Sequence, residues 1–136
     1  MPIEINCRPP GGAILDMMNY SVDDDLYRAY ADMIAGGRPD VQVTKKYYCC
    51  YLGRKDKHYT HSHDEILAAF GHCLVEHDLN PPVFQAMGTE RYIFRSPNEA
   101  EILDIAEFVL KKQNQNINRI KTNRENTVER KNAKRG

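Results

Sequence analysis

The division of charge along the chain limits how much of it can form a globular core. Residues 111–136 contain nine Lys and Arg against two Asp and Glu, whereas residues 1–110 contain ten against 17. Only four residues of this basic end are apolar, too few to offset the conformational entropy that is lost on ordering. We therefore expect the core within residues 1–112 and a flexible basic tail over residues 113–136.

The basic tail has two interpretations. It is either a solvated extension or an arm that binds an acidic partner. Nucleic acid is disfavoured as that partner, because the tail has no aromatic side chains to stack on bases and the rest of the chain is acidic. A non-catalytic α+β interaction module, whose basic tail contacts an acidic partner, is therefore one of two open function classes.

The cysteines and the apolar runs indicate the cellular compartment of the protein. Cys7, Cys49, Cys50 and Cys73 lack the spacing of a disulfide framework, and free thiols are typical of a reducing compartment. No apolar run approaches the ~20 residues of a membrane span, and no secretory signal is visible at the N-terminus. The sequence predicts a cytoplasmic protein with no membrane partner.

The first half of the chain reads as alternating strands and helices. We expect a strand over residues 2–6, one or two helical turns over 13–19, a helix over about 23–35 and a strand over 43–55. Ser21 with Asp24 resembles an N-terminal capping arrangement, and Gly36–Gly37 is typical of a helix end.

The second half predicts a helix, two strands and a final helix. Ser62 and Glu65 form a capping box for a helix that continues to about Glu76, with its inward residues at Ile66, Ala69, Phe70, Cys73 and Leu74. Two short strands around Gly88 are expected within residues 81–97. The last helix is expected to begin with Ser96 as N-cap and Glu99 as N3, and its inward positions are Ile102, Ile105, Ala106 and Val109.

Polar residues alternate with apolar ones in "IEINCRPPGG", residues 3–12. In a strand, Glu4, Asn6 and Arg8 would share one face. Carboxylate and carboxamide oxygens suit Mg²⁺, a guanidinium binds two phosphate oxygens at once, and Gly11–Gly12 would let the backbone approach a ligand closely. From the spacing alone, a solvated strand end is the favoured alternative.

The wider segment "IEINCRPPGGAILDMMNYSVDDDLYRAYADMIAGG" resembles the closing segment of an ATP-grasp domain. The shared features are the Glu-x-Asn-x-Arg strand, the Gly11–Gly12 turn, a short helix, and a second helix that opens near Asp25–Leu26 and ends at Gly36–Gly37. Residues 81–112 look like the small C-terminal domain of carboxylate–amine ligases of this superfamily, which includes biotin carboxylase-like and carbamoyl-phosphate synthetase-like enzymes.

The resemblance implies a domain division and a set of site residues. Residues 1–43 would close the ATP-grasp domain, residues 44–112 would form a small α+β domain, and residues 113–136 would be the tail. Glu4 and Asn6 would bind the Mg²⁺ that bridges the ATP phosphates. Arg8 would be the catalytic residue that holds the acyl phosphate or the transferring phosphoryl group, and Gly11 and Gly12 would lie beside the cofactor.

The implied reaction uses ATP to activate a carboxylate as an acyl phosphate, from which an amine displaces phosphate. Small-molecule carboxylate and amine substrates would be the partners, and a homo-oligomer is left open. In this superfamily the phosphate-binding lysines and the adenine-binding linker precede the Glu-x-Asn-x-Arg strand. We therefore expect a C-terminal fragment of a ligase that is inactive as an isolated chain.

A zinc site is an alternative use of the segment "HYTHSHD". His58, His61 and His63 could join Cys49 and Cys50 as ligands, but their spacing lacks the paired steps of structural zinc sites. Adjacent cysteines in a strand also point to opposite faces. The sequence therefore favours a surface loop here, with the cysteines used as small apolar residues.

Overall fold

The computed structural model describes residues 10–41, 43–55 and 57–113. The predicted strand over 2–6, with Glu4, Asn6 and Arg8, and the tail beyond residue 113 lie outside the described residues. The described elements are α1 (Ile14–Val22), α2 (Leu26–Ile34), β1 (Tyr48–Arg54), α3 (His63–Phe70), β2 (Leu74–Leu79), β3 (Glu90–Ser96) and α4 (Glu99–Leu110). None of these helices is long and apolar enough to cross a lipid bilayer.

The three strands form one antiparallel sheet in the order β1-β3-β2, so the last strand along the chain is the central one. With helices α1 to α4 this gives a small α+β fold, which confirms the predicted class. The domain boundary near residue 43 and membership of an ATP-grasp domain stay predictions.

The main apolar core lies between the sheet and the helices α3 and α4. Tyr92 and Phe94 project from β3 into this core and are fully buried, together with Ile66 of α3 and Ile105 of α4. Full burial of a large apolar side chain contributes roughly 1.5–3 kcal/mol. This core fixes α3 and α4 on one face of the sheet, as the helical spacing of Ile102, Ile105 and Val109 predicted.

The opposite face of the sheet meets α1 through charged and polar contacts. Arg95 of β3 donates to Asp23 at the end of α1 at 2.9 Å. Tyr20 of α1 donates to Glu76 of β2 at 3.3 Å, and Glu76 pairs with Arg91 of β3 at 2.6 Å. These contacts attach α1 to β2 and β3, and α1 also packs against β1.

The helix starts agree with the sequence in part. Ser62 and Glu65 form the predicted capping box at α3. The predicted caps at Ser21 and Ser96 are wrong, because both side chains are used elsewhere. Ser21 lies inside α1, and α2 is capped by Asp25. Ser96 is the last residue of β3, and α4 is capped by Asn98.

Two segments that were predicted from local patterns take another conformation. The helix α3 ends at Phe70 and not near Glu76, because residues 74–79 pair with the central strand as β2. The first of the two strands expected within residues 81–97 is instead a 3-10 helix, Pro82–Met87. Pro81 and Pro82 have no N–H group for a strand ladder, which disfavours a strand there.

Candidate functional site

Gly11 and Gly12 are the described part of the predicted phosphate-binding motif. Both are exposed, and Gly12 has a φ of +67°, a left-handed conformation that glycine adopts at little cost. A Cβ atom at either position would meet no atom of residues 10–41, 43–55 or 57–113 within 4 Å. The pair therefore forms a solvent-exposed turn before α1.

Polar contacts hold the two helices after this turn together. The N–H group of Leu26 donates to the Asn19 side chain at 3.0 Å, and the hydroxyl of Tyr27 donates to Asp16 at 2.7 Å. In α2 only Ala29 is buried, and Ile34 is 70% exposed. The side of α2 that carries Tyr27 and Ile34 is therefore largely uncovered in the described residues.

The structure does not bring together the histidines and cysteines of the alternative zinc site, which the sequence disfavoured. The ring of His61 stacks on Phe108 with centroids 3.6 Å apart, whereas His63 begins α3. Cys49 and Cys50 are free thiols on opposite faces of β1. Cys50 packs against the core, and burial raises its pKa to about 11.

His63 instead joins a hydrogen-bonded group that we call the imidazole–carboxylate cluster: His63, His77, Glu90 and Tyr92. The Tyr92 hydroxyl donates to Glu90 Oε1 at 2.8 Å. His77 Nε2 lies 2.9 Å from the same oxygen, and His63 Nδ1 lies 3.0 Å from Tyr92 Oη. The two imidazole rings have centroids 4.2 Å apart, so the four side chains form one connected group.

A β-bulge in β2 places His77 in this cluster. Leu74 pairs with Phe94, but the next pair is Glu76 with Ile93, so Val75 is an extra residue in the strand. The shift puts His77 directly opposite Tyr92. Without the bulge, His77 would lie on the other face of the sheet, because successive side chains alternate between faces.

The cluster favours an ionised Glu90 and a protonated Tyr92. Partial burial works to raise the pKa of Glu90, but the hydrogen bonds from His77 and Tyr92 outweigh it and hold that pKa below its ordinary value. Burial raises the pKa of Tyr92, and the hydrogen bond to Glu90 raises it further. At neutral pH the cluster therefore offers a carboxylate and two imidazoles beside a neutral phenol.

Glu90 also borders a cleft of about 690 Å³ that we call the basic cleft. Its walls carry more cationic than acidic side chains. They are Arg54, Lys55, Lys57, His58, Tyr59, His61, Leu79, Gln85, Thr89 and Glu90. Such a charge distribution favours anionic solutes.

Arg54 is buried at the base of this cleft and is held by carbonyl groups. Its guanidinium donates to the carbonyl oxygen of Val109 at 3.0 and 2.8 Å and to that of His61 at 2.8 Å. Val109 lies in the last turn of α4, where the helix dipole favours a cation. Arg54 therefore joins β1, the loop before α3 and the end of α4.

Replacing Arg54 by lysine should lower the free energy of unfolding by about 2 kcal/mol. A single ammonium group cannot make all the hydrogen bonds that the planar guanidinium makes, and each hydrogen bond to a charged group contributes roughly 1.5–3 kcal/mol. Urea denaturation would measure the change. Arg28→Lys on the exposed side of α2 is the matched control and should stay within about 0.5 kcal/mol of the wild type. If both variants lost the same free energy of unfolding, a structural role for the Arg54 guanidinium would be contradicted.

Two groups of three potential metal ligands occur among the described residues. One is His63, His77 and Glu90, and the other is His72, Cys73 and Glu101. Sequence reasoning named His63 but missed His77 and Glu90. No local pattern marks these two residues, because their contact depends on the bulge and on strand pairing.

No family model matches the chain, and no curated protein or solved structure matches it.

Proposed function

We propose that this chain supplies the metal- and phosphate-binding end of an ATP- and Mg²⁺-dependent ligase, which activates a carboxylate as an acyl phosphate for attack by an amine. The order of elements after the Glu-x-Asn-x-Arg motif carries the proposal. The Gly11–Gly12 turn leads into α1, and α2 then begins at Leu26 after its cap Asp25 and ends before Gly36–Gly37. This is the order that the resemblance requires.

The proposed roles follow from the chemistry of the motif residues. Glu4 and Asn6 hold Mg²⁺ against the ATP phosphates through hard oxygen donors. Arg8 holds the acyl phosphate or the transferring phosphoryl group through its two-pronged guanidinium. Metal and guanidinium act by positioning the reactants and neutralising the charge that develops on the phosphoryl group.

The attachment of α1 to the sheet supports these roles. The carbonyl oxygen of Ser21 accepts from the N–H groups of Lys46 and Tyr47 at 2.8 and 3.0 Å. The Ser21 hydroxyl donates to the carbonyl of Tyr47 at 2.7 Å. A motif that leads into an anchored helix has a rigid support on one side, which a phosphate site needs for precise positioning.

The test is an assay of the natural polypeptide that carries these residues. ATP, Mg²⁺ and a panel of small carboxylates are supplied with hydroxylamine, which traps an acyl phosphate as a hydroxamate. We expect ADP and hydroxamate in equal amounts, dependent on the carboxylate and abolished by chelation of Mg²⁺. ADP release without hydroxamate, or no carboxylate-dependent ADP release, would contradict the proposal.

A further inference from the structure

We propose that His63, His77 and Glu90 form a binding site for one divalent transition-metal ion of the Zn²⁺ class. The three residues come from α3, β2 and β3, and one donor atom of each lies within 4.8 Å of the others. Two imidazoles and a carboxylate are ligands that Zn²⁺ and Co²⁺ accept readily. The site uses residues other than Glu4 and Asn6, whose oxygen donors suit Mg²⁺, and the proposal does not depend on the proposed ligase function.

The hydrogen bonds leave His63 in the form that binds a metal. Tyr92 has one hydroxyl proton, and Glu90 accepts it. The contact between His63 Nδ1 and Tyr92 Oη is satisfied when Nδ1–H is the donor, and the neutral tautomer with a proton on Nδ1 carries its lone pair on Nε2. A metal-binding histidine commonly donates its other N–H group to a neighbouring acceptor, and this bond fixes both the tautomer and the ring orientation.

His77 and Glu90 lie close enough for one ion to bind both after a small adjustment. His77 Nε2 and Glu90 Oε1 are 2.9 Å apart and share one proton. Two ligands at bond lengths of about 2.0–2.2 Å in a tetrahedral site lie roughly 3.3–3.6 Å apart, so the two atoms would separate by about 0.5 Å on binding. A metal ion would take the place of this proton, which would pass to solvent on binding.

The bulge in β2 has a direct consequence for this site. It turns His77 toward Glu90, although an unbroken ladder would have placed His77 on the face with Arg91. The side chains of His77 and Glu90 are 29% and 26% exposed, so an ion can reach them from solvent. Three protein ligands leave a position for water or an anion, and Glu90 also borders the basic cleft.

The second donor group provides a control within the same chain. His72 is 65% exposed, and Glu101 is already held by Ser96 as well as by His72. Its ligand His72 is solvated, and its sulfur ligand Cys73 carries a raised pKa because of burial. Zn²⁺ binding at this second group would respond to His72, whereas binding at the proposed site would not.

The experiment is a calorimetric titration of the full chain with Zn²⁺ in excess Mg²⁺, repeated with Co²⁺ under visible absorption. We expect one Zn²⁺ per chain with a dissociation constant in the micromolar range or lower, and the intense visible bands of four-coordinate Co²⁺. His77→Gln and Glu90→Gln should weaken binding by at least tenfold, since each removes a ligand. Tyr92→Phe keeps all three ligands but loses the outer hydrogen bond, and should weaken binding about 10–100-fold.

His58→Gln and His72→Gln are the matched controls and should bind Zn²⁺ as the wild type does. Circular dichroism establishes that each variant is folded before its titration. Failure of the wild type to bind Zn²⁺ at micromolar concentrations would overturn the proposal. Unchanged affinity in both His77→Gln and Glu90→Gln, or loss of binding in His72→Gln, would overturn it as well.

Discussion

Replacing Glu4 by glutamine should lower the turnover of carboxylate-dependent ADP formation by about 10²–10³-fold, the usual loss when one well-placed electrostatic contact is removed from a reacting centre. Glutamine keeps the size of the side chain and its hydrogen-bonding capacity but removes the charge that balances Mg²⁺. The measurement is kcat of the natural polypeptide over a range of Mg²⁺ concentrations, together with its melting temperature.

The control for this variant is Glu107→Gln, which makes the same chemical change at an exposed position of α4. Its turnover should equal that of the wild type. Arg8→Lys should also lower turnover, because a point charge cannot bind two phosphoryl oxygens at once. Near-normal turnover of Glu4→Gln at ordinary Mg²⁺ concentrations would mean that Glu4 does not hold the metal.

Replacing Gly53 by alanine should destabilise the fold by about 3 kcal/mol or more. Gly53 lies in β1 against the 3-10 helix Pro82–Met87, and a Cβ atom there would overlap the carbonyl oxygen of Met87. The neighbouring Gly88 has a φ of +123°, and its own Cβ atom would lie 2.9 Å from the backbone of Gly53 and Arg54. Backbone atoms on both sides cannot rotate away as a side chain can, so the loss reaches the upper end of the ~1–3 kcal/mol typical of overpacking.

Gly71→Ala is the matched control for Gly53→Ala. Gly71 has a right-handed helical conformation, and a Cβ atom there would meet nothing within 4 Å. This substitution should be neutral or stabilising by up to about 1 kcal/mol, because alanine restricts the unfolded chain more than glycine does. Guanidinium denaturation of both variants gives the comparison, and equal midpoints would show that β1 and residues 82–87 do not keep this close contact in solution.

Features that depend only on residues within one helical turn of each other could be predicted from the sequence. Ser62 and Glu65 form their reciprocal capping hydrogen bonds within a single helical turn. Gly36 follows the end of α2 and adopts a left-handed backbone conformation. The segment 74–79 could not be predicted in this way. Its apolar residues continue the helical spacing of α3, but pairing with β3 decides its conformation, and tertiary contacts of this kind override local propensity.

The same distinction explains the candidate sites. Close spacing in sequence suggested that His58, His61 and His63 act together, but His61 stacks on Phe108 while His63 turns toward Tyr92. The actual neighbours of His63 are 14 and 27 positions away in the sequence, at His77 and Glu90. Their meeting depends on one extra residue in β2, and a one-residue shift in register has no signature in composition or periodicity.

The position of β3 in the sheet has a consequence for synthesis of the chain. The strands β1 and β2 both pair with β3, which is made last of the three. While a ribosome is translating residues 80–89, the segments of β1 and β2 are complete but neither has its native neighbour, and both carry unpaired backbone groups. The sheet can therefore close only after residue 96 has left the exit tunnel. Until then the nascent chain depends on its helices, or on chaperones, to keep two open strand edges from pairing with other chains.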